Sequence, residues 1–257
     1  MMILYKYTIR TYLYIRYAFH WLTRTGSFSK GQAIHFTPGL KDRSGQSLRA
    51  GLFRHHVKQF HDSSCSVASV VSAINTLIER TKGAHEATVT QRSILDTVRE
   101  AHWKERMGPD GYKGRRGLPL RILGRVVRAS LDAYGIQDAH VEVLQAEGGS
   151  QADAVKERVR DLLSDFQTRD NCLLIAHFDQ GSFLQELNIP HISPVGGFDP
   201  ATGRVTVLDV DPSLPRPYTI PFHVFYRGIS TQYGGFFRPF DYGRGGLVVI
   251  HLNRAAG

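Results

Sequence analysis

The chain has 257 residues, of which 42% are hydrophobic and 21% are charged, and this composition excludes a disordered or fibrous protein. We predict one globular domain over residues 31–257, preceded by a basic, aromatic extension over residues 1–30. The two cysteines, Cys65 and Cys172, form no CxxC pair, so the sequence indicates neither a disulfide framework nor a zinc ribbon. A reducing compartment, the cytoplasm, is therefore the expected location.

The formal net charge of +9 is concentrated at the start of the chain, because residues 1–58 hold ten Lys and Arg against one acid, Asp42. No zinc-finger or RNP-type motif and no long run of positive charge accompanies it, so we predict a solvated basic surface and no nucleic-acid partner. Residues 2–22 mix aromatic and basic side chains, and two interpretations stay open. The segment is either an interfacial helix with peripheral membrane contact or an extension that packs on its own domain. Charges interrupt every apolar stretch, so neither a transmembrane helix nor a secretory signal is predicted. The sequence does not indicate an oligomeric state.

The predicted elements change character halfway along the chain. After a short strand at Ala33–Phe36, apolar residues at helical spacing predict a buried helix that begins near Cys65. Further helices are predicted over residues 88–102, 119–134 and 151–167. Apolar or alternating runs then predict the strands Cys172–Phe178, Ile192–Phe198, Arg204–Val210 and Leu247–Leu252. Helices followed by antiparallel strands indicate an α+β fold.

Cys65 is a candidate nucleophile because of its place on the predicted helix. Ser63 and Ser64 are good N-cap residues, which puts Cys65 in the first turn. The free N–H groups and the dipole of a helix start favour the thiolate, the nucleophilic form of cysteine. A cysteine beside Val and Ala is also an ordinary packing residue, so a base and a carboxylate elsewhere in the chain are required.

The segment from Pro190 to Asp209 supplies that pair. His191 begins one strand, the turn Asp199–Gly203 reverses the chain, and Asp209 lies near the end of the returning strand. The ends of the two strands of a hairpin lie side by side, so the imidazole and the carboxylate can meet. Without the cysteine, a buried histidine and a strand-end aspartate would remain an equally good interpretation of the two residues.

Three stretches of the sequence resemble the phytochelatin synthase family. Gln59–Leu77 is similar to the family's nucleophile helix, with a glutamine, five residues, Cys, two residues, Ala-Ser and a later Asn-x-Leu. His191–Pro194 with Gly196–Phe198 matches a His-x-Ser-Pro and Gly-Gly-aromatic pattern, and Leu208–Val210 matches a following Leu-Asp-Val. The likeness covers about residues 33–252, and the ordered combination is more specific than any single motif.

The resemblance implies a papain-like cysteine protease fold, with the nucleophile at a helix N-terminus in the helical first half and an antiparallel sheet in the second. In that fold Cys65 is acylated, His191 moves the proton, Asp209 orients His191, and Gln59 donates to the oxyanion. Family members cleave glycine from glutathione and pass the γ-Glu-Cys acyl group to water or to a second thiol peptide. The implied partner is thus a small glutathione-like peptide. No cofactor is implied, although dependence of the transfer step on a heavy-metal ion or a metal thiolate stays open.

Departures from the family pattern concern the substrate. Ser66 stands where family members usually have Gly, Asp179–Phe183 lacks the basic residue expected there, and Asp211–Tyr218 replaces the family's Arg-Tyr-Lys-Tyr-Pro-Pro-like stretch. We expect the family's basic residues at these positions to hold substrate carboxylates, so these departures put glutathione itself in question and leave the triad intact. Another papain-like peptidase, a protein-modifying acyltransferase and a catalytically silent basic binding module remain as alternatives.

Overall fold

The computed structural model describes residues 2–25, 28, 34–36, 47–82, 88–149, 152–233 and 242–253. The α-helices are α1 (Met2–Thr23), α2 (Leu48–Arg54), α3 (Cys65–Lys82), α4 (Gln91–Thr97), α5 (Trp103–Met107), α6 (Leu120–Ala133), α7 (Ala152–Thr168), α8 (Gln180–Phe183) and α9 (Phe222–Ile229). The strands are β1 (His35–Phe36), β2 (Ala139–Gln145), β3 (Cys172–Asp179), β4 (Pro190–Asp199), β5 (Arg204–Val207), β6 (Tyr218–Pro221), β7 (Gln232–Tyr233), β8 (Gly243–Arg244) and β9 (Gly246–Leu252).

Seven of these strands form one antiparallel sheet in the order β1-β6-β5-β4-β3-β9-β2, and β7 pairs with β8 separately. The interior strand β3, which lies between β4 and β9, is buried along its whole length, which explains why its sequence is a continuous apolar run. The helix α3 packs against β4, so the start of the helical half meets the middle of the sheet. This architecture confirms the predicted α+β, papain-like fold.

The predicted helices differ from the observed ones mainly near residue 100. The helices expected over residues 119–134 and 151–167 are present as α6 and α7. The single helix expected over residues 88–102 instead ends at Thr97 and is followed by a short 3-10 turn, Glu100–His102, and by α5. Ala101 and His102 have φ values of 55° and 54°, and this left-handed backbone cannot continue an α-helix.

The hairpin of β4 and β5 contains an irregularity at its open end, away from the turn that joins the two strands. The register shifts between Val195 and Gly197, and a Cβ on Gly196 would lie 2.8 Å from the Leu208 side chain, so glycine permits this close approach. The strand expected to run to Val210 ends at Val207. Beyond it the Val210 N–H turns to the hydroxyl of Ser193, at 3.3 Å.

The N-terminal helix α1 packs on the domain through one stripe of its surface. Ile9 and Leu13 are buried in a small cluster with Tyr233, against which Leu187 and Tyr242 also pack. Within the described ranges, no helix is both long enough and apolar enough to cross a membrane.

Candidate active site

Cys65 is the first residue of α3 and is only 7% exposed. The carbonyl of Ser64 accepts the Val67 and Ala68 N–H groups, which starts the helix at this point. The expected side-chain cap takes a different form, because the Ser64 hydroxyl donates to the carbonyl of His61 at 2.8 Å. A helix start leaves its first N–H groups without partners inside the helix, and Cys65 is the residue at which α3 starts.

His191 and Asp209 form a buried hydrogen-bonded pair. His191 Nε2 lies 2.8 Å from Asp209 Oδ1, and the exposed fractions of the two residues are 5% and 0%. His191 is the second residue of β4, and Asp209 follows β5 by two positions, so the hairpin brings the two side chains together.

The other carboxylate oxygen of Asp209 is held by a tyrosine. The Tyr218 hydroxyl donates to Asp209 Oδ2 at 2.7 Å, while the Asp211 N–H donates to Oδ1 at 2.9 Å. Burial alone would raise the pKa of Asp209, but the charge of His191 and these hydrogen bonds outweigh it and lower that pKa below its ordinary value. Asp209 is therefore a buried, ionised acceptor.

His191 also has a second partner, the thiol of Cys65. Burial acts to lower the pKa of His191, and the charge and hydrogen bond of Asp209, together with a hydrogen bond to Cys65, raise it above its ordinary value. Because Asp209 occupies Nε2, Nδ1 is the ring nitrogen that remains for an interaction with the thiol. The structure thus brings together three of the four residues that the sequence singles out, in the order sulfur, imidazole, carboxylate.

Gln59, the fourth residue, is anchored beside the same hairpin. Its N–H donates to the carbonyl of Val210 at 2.8 Å, directly after Asp209. Its side-chain Oε1 is buried and finds no hydrogen-bond partner among the described residues. A buried amide oxygen without a partner is costly, so such an atom in a folded protein calls for an explanation in function or in a bound molecule.

An arginine, Arg116, contacts the segment that immediately precedes Cys65. Arg116 donates from Nη2 to the Ser63 hydroxyl at 2.9 Å, while its Nε is buried without a partner among the described residues. The Tyr242 hydroxyl donates to the Arg116 carbonyl at 2.5 Å. Burial, then the charge of Cys65, raises the pKa of Tyr242 to about 12, so Tyr242 lies within electrostatic reach of the sulfur.

Sequence reasoning missed the residues that support Asp209 from behind. Tyr218 lies in β6, a strand that is hard to recognise because prolines at 217 and 221 flank it. Lys58 donates from Nζ to the carbonyls of Asp209 and Leu214, at 2.6 and 2.7 Å. The sequence could have identified Lys58 by its position next to Gln59, since a lysine beside a candidate oxyanion donor can hold the loop that carries that donor.

The second cysteine, Cys172, begins β3 and is 1% exposed. Burial, with smaller contributions from Asp165 and Asp170, raises the pKa of Cys172 to about 12. Both cysteines are free thiols. Cys172 therefore has the properties of a packing residue.

Comparison with known families decides the relationship suggested by the motifs. The family model for phytochelatin synthase matches residues 40–233, more than half of the chain. The chain belongs to the phytochelatin synthase family. The resemblance expected from the sequence is thus confirmed, and membership supports, in general terms, an enzyme of the γ-glutamylcysteine transferase or peptidase kind.

The match includes Gln59, Cys65, His191 and Asp209, whereas α1 lies outside it. A search among curated proteins found no match. Over the described ranges, no group of three or more His, Cys, Asp or Glu side chains has an arrangement that could hold a metal ion.

Proposed function

We propose that this family member cleaves glycine from glutathione, or from a related γ-glutamyl peptide, through an acyl-enzyme on Cys65. The observation that carries the proposal is the double engagement of His191, which interacts with the Cys65 thiol and with the ionised Asp209. A nucleophile, a base and a group that orients the base are the three parts that covalent acyl transfer requires.

The first half of the reaction forms a thioester. With the proton already on His191, the Cys65 thiolate attacks the carbonyl carbon of the Cys-Gly peptide bond. The resulting oxyanion is stabilised by N–H groups at the start of α3 and by the Gln59 amide. His191 then returns the proton to the leaving nitrogen, the C–N bond breaks, and glycine departs.

The second half releases the γ-Glu-Cys group from Cys65. Water, or the amine of a second peptide, loses a proton to His191 and attacks the thioester carbonyl. The C–S bond breaks and the sulfur leaves as the thiolate, which restores the starting pair of protonated His191 and Cys65 thiolate. Asp209 stays ionised throughout and keeps Nδ1 of His191 directed at the sulfur. No cofactor enters this scheme, and addition of a heavy-metal ion to the assay tests whether a metal thiolate serves as acceptor.

Arg116 is the group we assign to a substrate carboxylate. Among the described residues Arg116 has no carboxylate partner, and its buried Nε has no hydrogen-bond partner. Arg116 also contacts Ser63, which lies two positions before the nucleophile. An arginine fork fits a carboxylate by two parallel hydrogen bonds. Arg116 would therefore take the place of the basic residue that Asp179–Phe183 lacks.

The experiment is incubation of the full chain with glutathione, followed by mass detection of γ-Glu-Cys and free glycine. We expect both products with the wild type, neither with Cys65→Ala, and both with Cys172→Ala. Glycine release that persists in Cys65→Ala would overturn the proposal. Labelling of Cys65 by iodoacetamide without cleavage of glutathione would instead favour another papain-like peptidase or acyltransferase.

A further inference from the structure

The helix α1 has two unlike faces, and the contacts that the described part of the chain makes with the domain lie on one of them. Ile9 and Leu13 are buried against Tyr233, and one turn later Tyr17 meets Phe28 edge-on, with ring centroids 5.5 Å apart. These helix residues are spaced by four, so they form a single stripe along α1. This inner face accounts for the attachment of the helix to the domain.

The outer face of α1 is apolar, aromatic and exposed to solvent. Most of the large hydrophobic side chains that the described part of the chain exposes lie on this helix: Tyr7, Tyr12, Tyr14, Ile15, Phe19, Trp21 and Leu22. At 3.6 residues per turn, most of these side chains lie on the half of the helix opposite Ile9 and Leu13. The other side chains on that half are small or uncharged. Ile15 and Leu22, at the centre of this face, are 64% and 70% exposed. Contiguous apolar surface of this kind marks an interaction site.

Positive charge borders this face. Arg10 and Arg16 are exposed and fall on its two sides, and the Arg10 guanidinium lies 5.8 Å from the centre of the Tyr14 ring. The first acidic residue of the sequence is Asp42, so α1 itself contains no acid, although Arg16 lines a pocket together with Asp179 and Glu186 of the domain. Helices that lie in a membrane interface have this composition: Tyr and Trp next to an apolar stripe, with Arg along its borders.

The helix is attached to the side of the domain that carries the candidate active site. Leu187, in the loop that leads to His191, and Tyr242, which contacts Arg116, both pack against the cluster formed by Ile9 and Leu13. A surface bound by the outer face of α1 would therefore lie close to the cleft.

We propose that α1 docks the protein on an anionic phospholipid bilayer, with its apolar outer face in the interface and its arginines on lipid phosphates. Because Ile9 and Leu13 hold the helix along the domain, α1 lies parallel to the membrane plane. The docked orientation keeps the catalytic cleft next to the lipid surface.

The test is sedimentation of the full chain with two kinds of vesicle, phosphatidylcholine alone and phosphatidylcholine mixed with phosphatidylglycerol. We expect binding to the mixed vesicles that salt weakens, and little binding to the neutral ones. Phe19→Ser/Leu22→Ser should abolish the binding. Arg10→Gln/Arg16→Gln should weaken it roughly ten- to thirtyfold, because each basic residue near an anionic surface contributes about fivefold.

The matched control is Arg92→Gln/Arg121→Gln, which removes the same charge from exposed arginines on other helices and should bind like the wild type. Melting temperatures establish that each variant is folded. Absence of wild-type binding to the mixed vesicles, or equal loss in the control, would refute the proposal. A dimer in solution that Phe19→Ser/Leu22→Ser dissociates, without vesicle binding, would assign the face to a second copy of the chain.

Discussion

The hydroxyl of Ser69 donates to the carbonyl oxygen of Ile192 at 3.0 Å and to that of Cys65 at 2.8 Å. One buried side chain thus joins the helix turn that carries the nucleophile to the strand residue that follows His191. The distance between sulfur and imidazole is consequently fixed by contacts of the fold and not by the reacting groups alone.

Ser69→Ala should lower kcat about tenfold while KM changes little, because the loss of this link misplaces the base relative to the sulfur. The free energy of unfolding should fall by about 1–3 kcal/mol, since the Ile192 carbonyl is left buried without its partner. Ser130→Ala is the matched control, because the buried Ser130 hydroxyl donates only within α6, to Val126. Equal kcat in the two variants would show that Ser69 has no positioning role.

The part of the fold that the sequence predicts well is the part with strong local patterns. The start of the helix at Cys65, the helix α7 and the strand β3 follow from periodicity or from an unbroken apolar run. The edge strand β2 has an alternating sequence but is only half-buried, and its partner β9 lies more than 90 residues away, so nothing local identifies it. Pairing between distant segments is decided by the fold as a whole.

The same contrast applies within the candidate site. Cys65, His191 and Asp209 could be named from motifs and from hairpin geometry, and the structure brings them together. Tyr218 could not, because its contact with Asp209 depends on where β6 pairs in the sheet. Arg116 comes close to Ser63 through a loop whose path no periodic pattern predicts.

Alkylation should distinguish the two cysteines. At neutral pH iodoacetamide should modify Cys65 much faster than Cys172, because burial raises the pKa of Cys172 to about 12 and leaves almost no thiolate there. Peptide mapping after brief exposure measures the two rates in one sample. Faster modification of Cys172 would reverse the assignment of the nucleophile.

The pair of His191 and Asp209 should contribute stability in a defined pH window. The pKa of His191 is raised above 6.5, so the stability that His191 contributes is complete below about pH 6.5 and is lost as the pH rises through the folded-state pKa. The pKa of Asp209 is lowered below 3.8, so the stability that Asp209 contributes is complete above about pH 3.8 and is lost in more acidic solution. The difference in unfolding free energy between wild type and Asp209→Asn should thus peak between about pH 4 and 6.5, at up to about 3–5 kcal/mol.

Urea unfolding at a series of pH values measures this difference. Asp199→Asn is the control, since Asp199 is an exposed turn residue whose carboxylate binds Thr202 and the Ala201 N–H. A difference for Asp209→Asn that grows steadily up to pH 9 would contradict the assignment of a protonated His191 paired with an ionised Asp209.

Gln59→Ala should reduce kcat on the order of a hundredfold, because an oxyanion donor acts on charge that develops in the transition state. The affinity for substrate should barely change. Gln91→Ala is an informative control, since the Gln91 side chain donates to the Lys58 carbonyl and supports the same loop without supplying a donor to the site. A similar loss of kcat in both variants would mean that Gln59 only holds the loop in place.

Arg116→Gln should raise KM for glutathione about ten- to a hundredfold, the loss expected for one hydrogen bond to a charged group. Glutathione esterified at its glycine carboxylate offers the sharper comparison, because the ester lacks the charge that Arg116 is assigned to bind. The wild type should prefer the free acid, and the variant should treat the acid and the ester alike. Arg121→Gln, which removes an exposed arginine of α6, should keep the wild-type preference. Since Arg116 also contacts Ser63, a role confined to the loop would lower kcat equally for both substrates and leave their ratio unchanged.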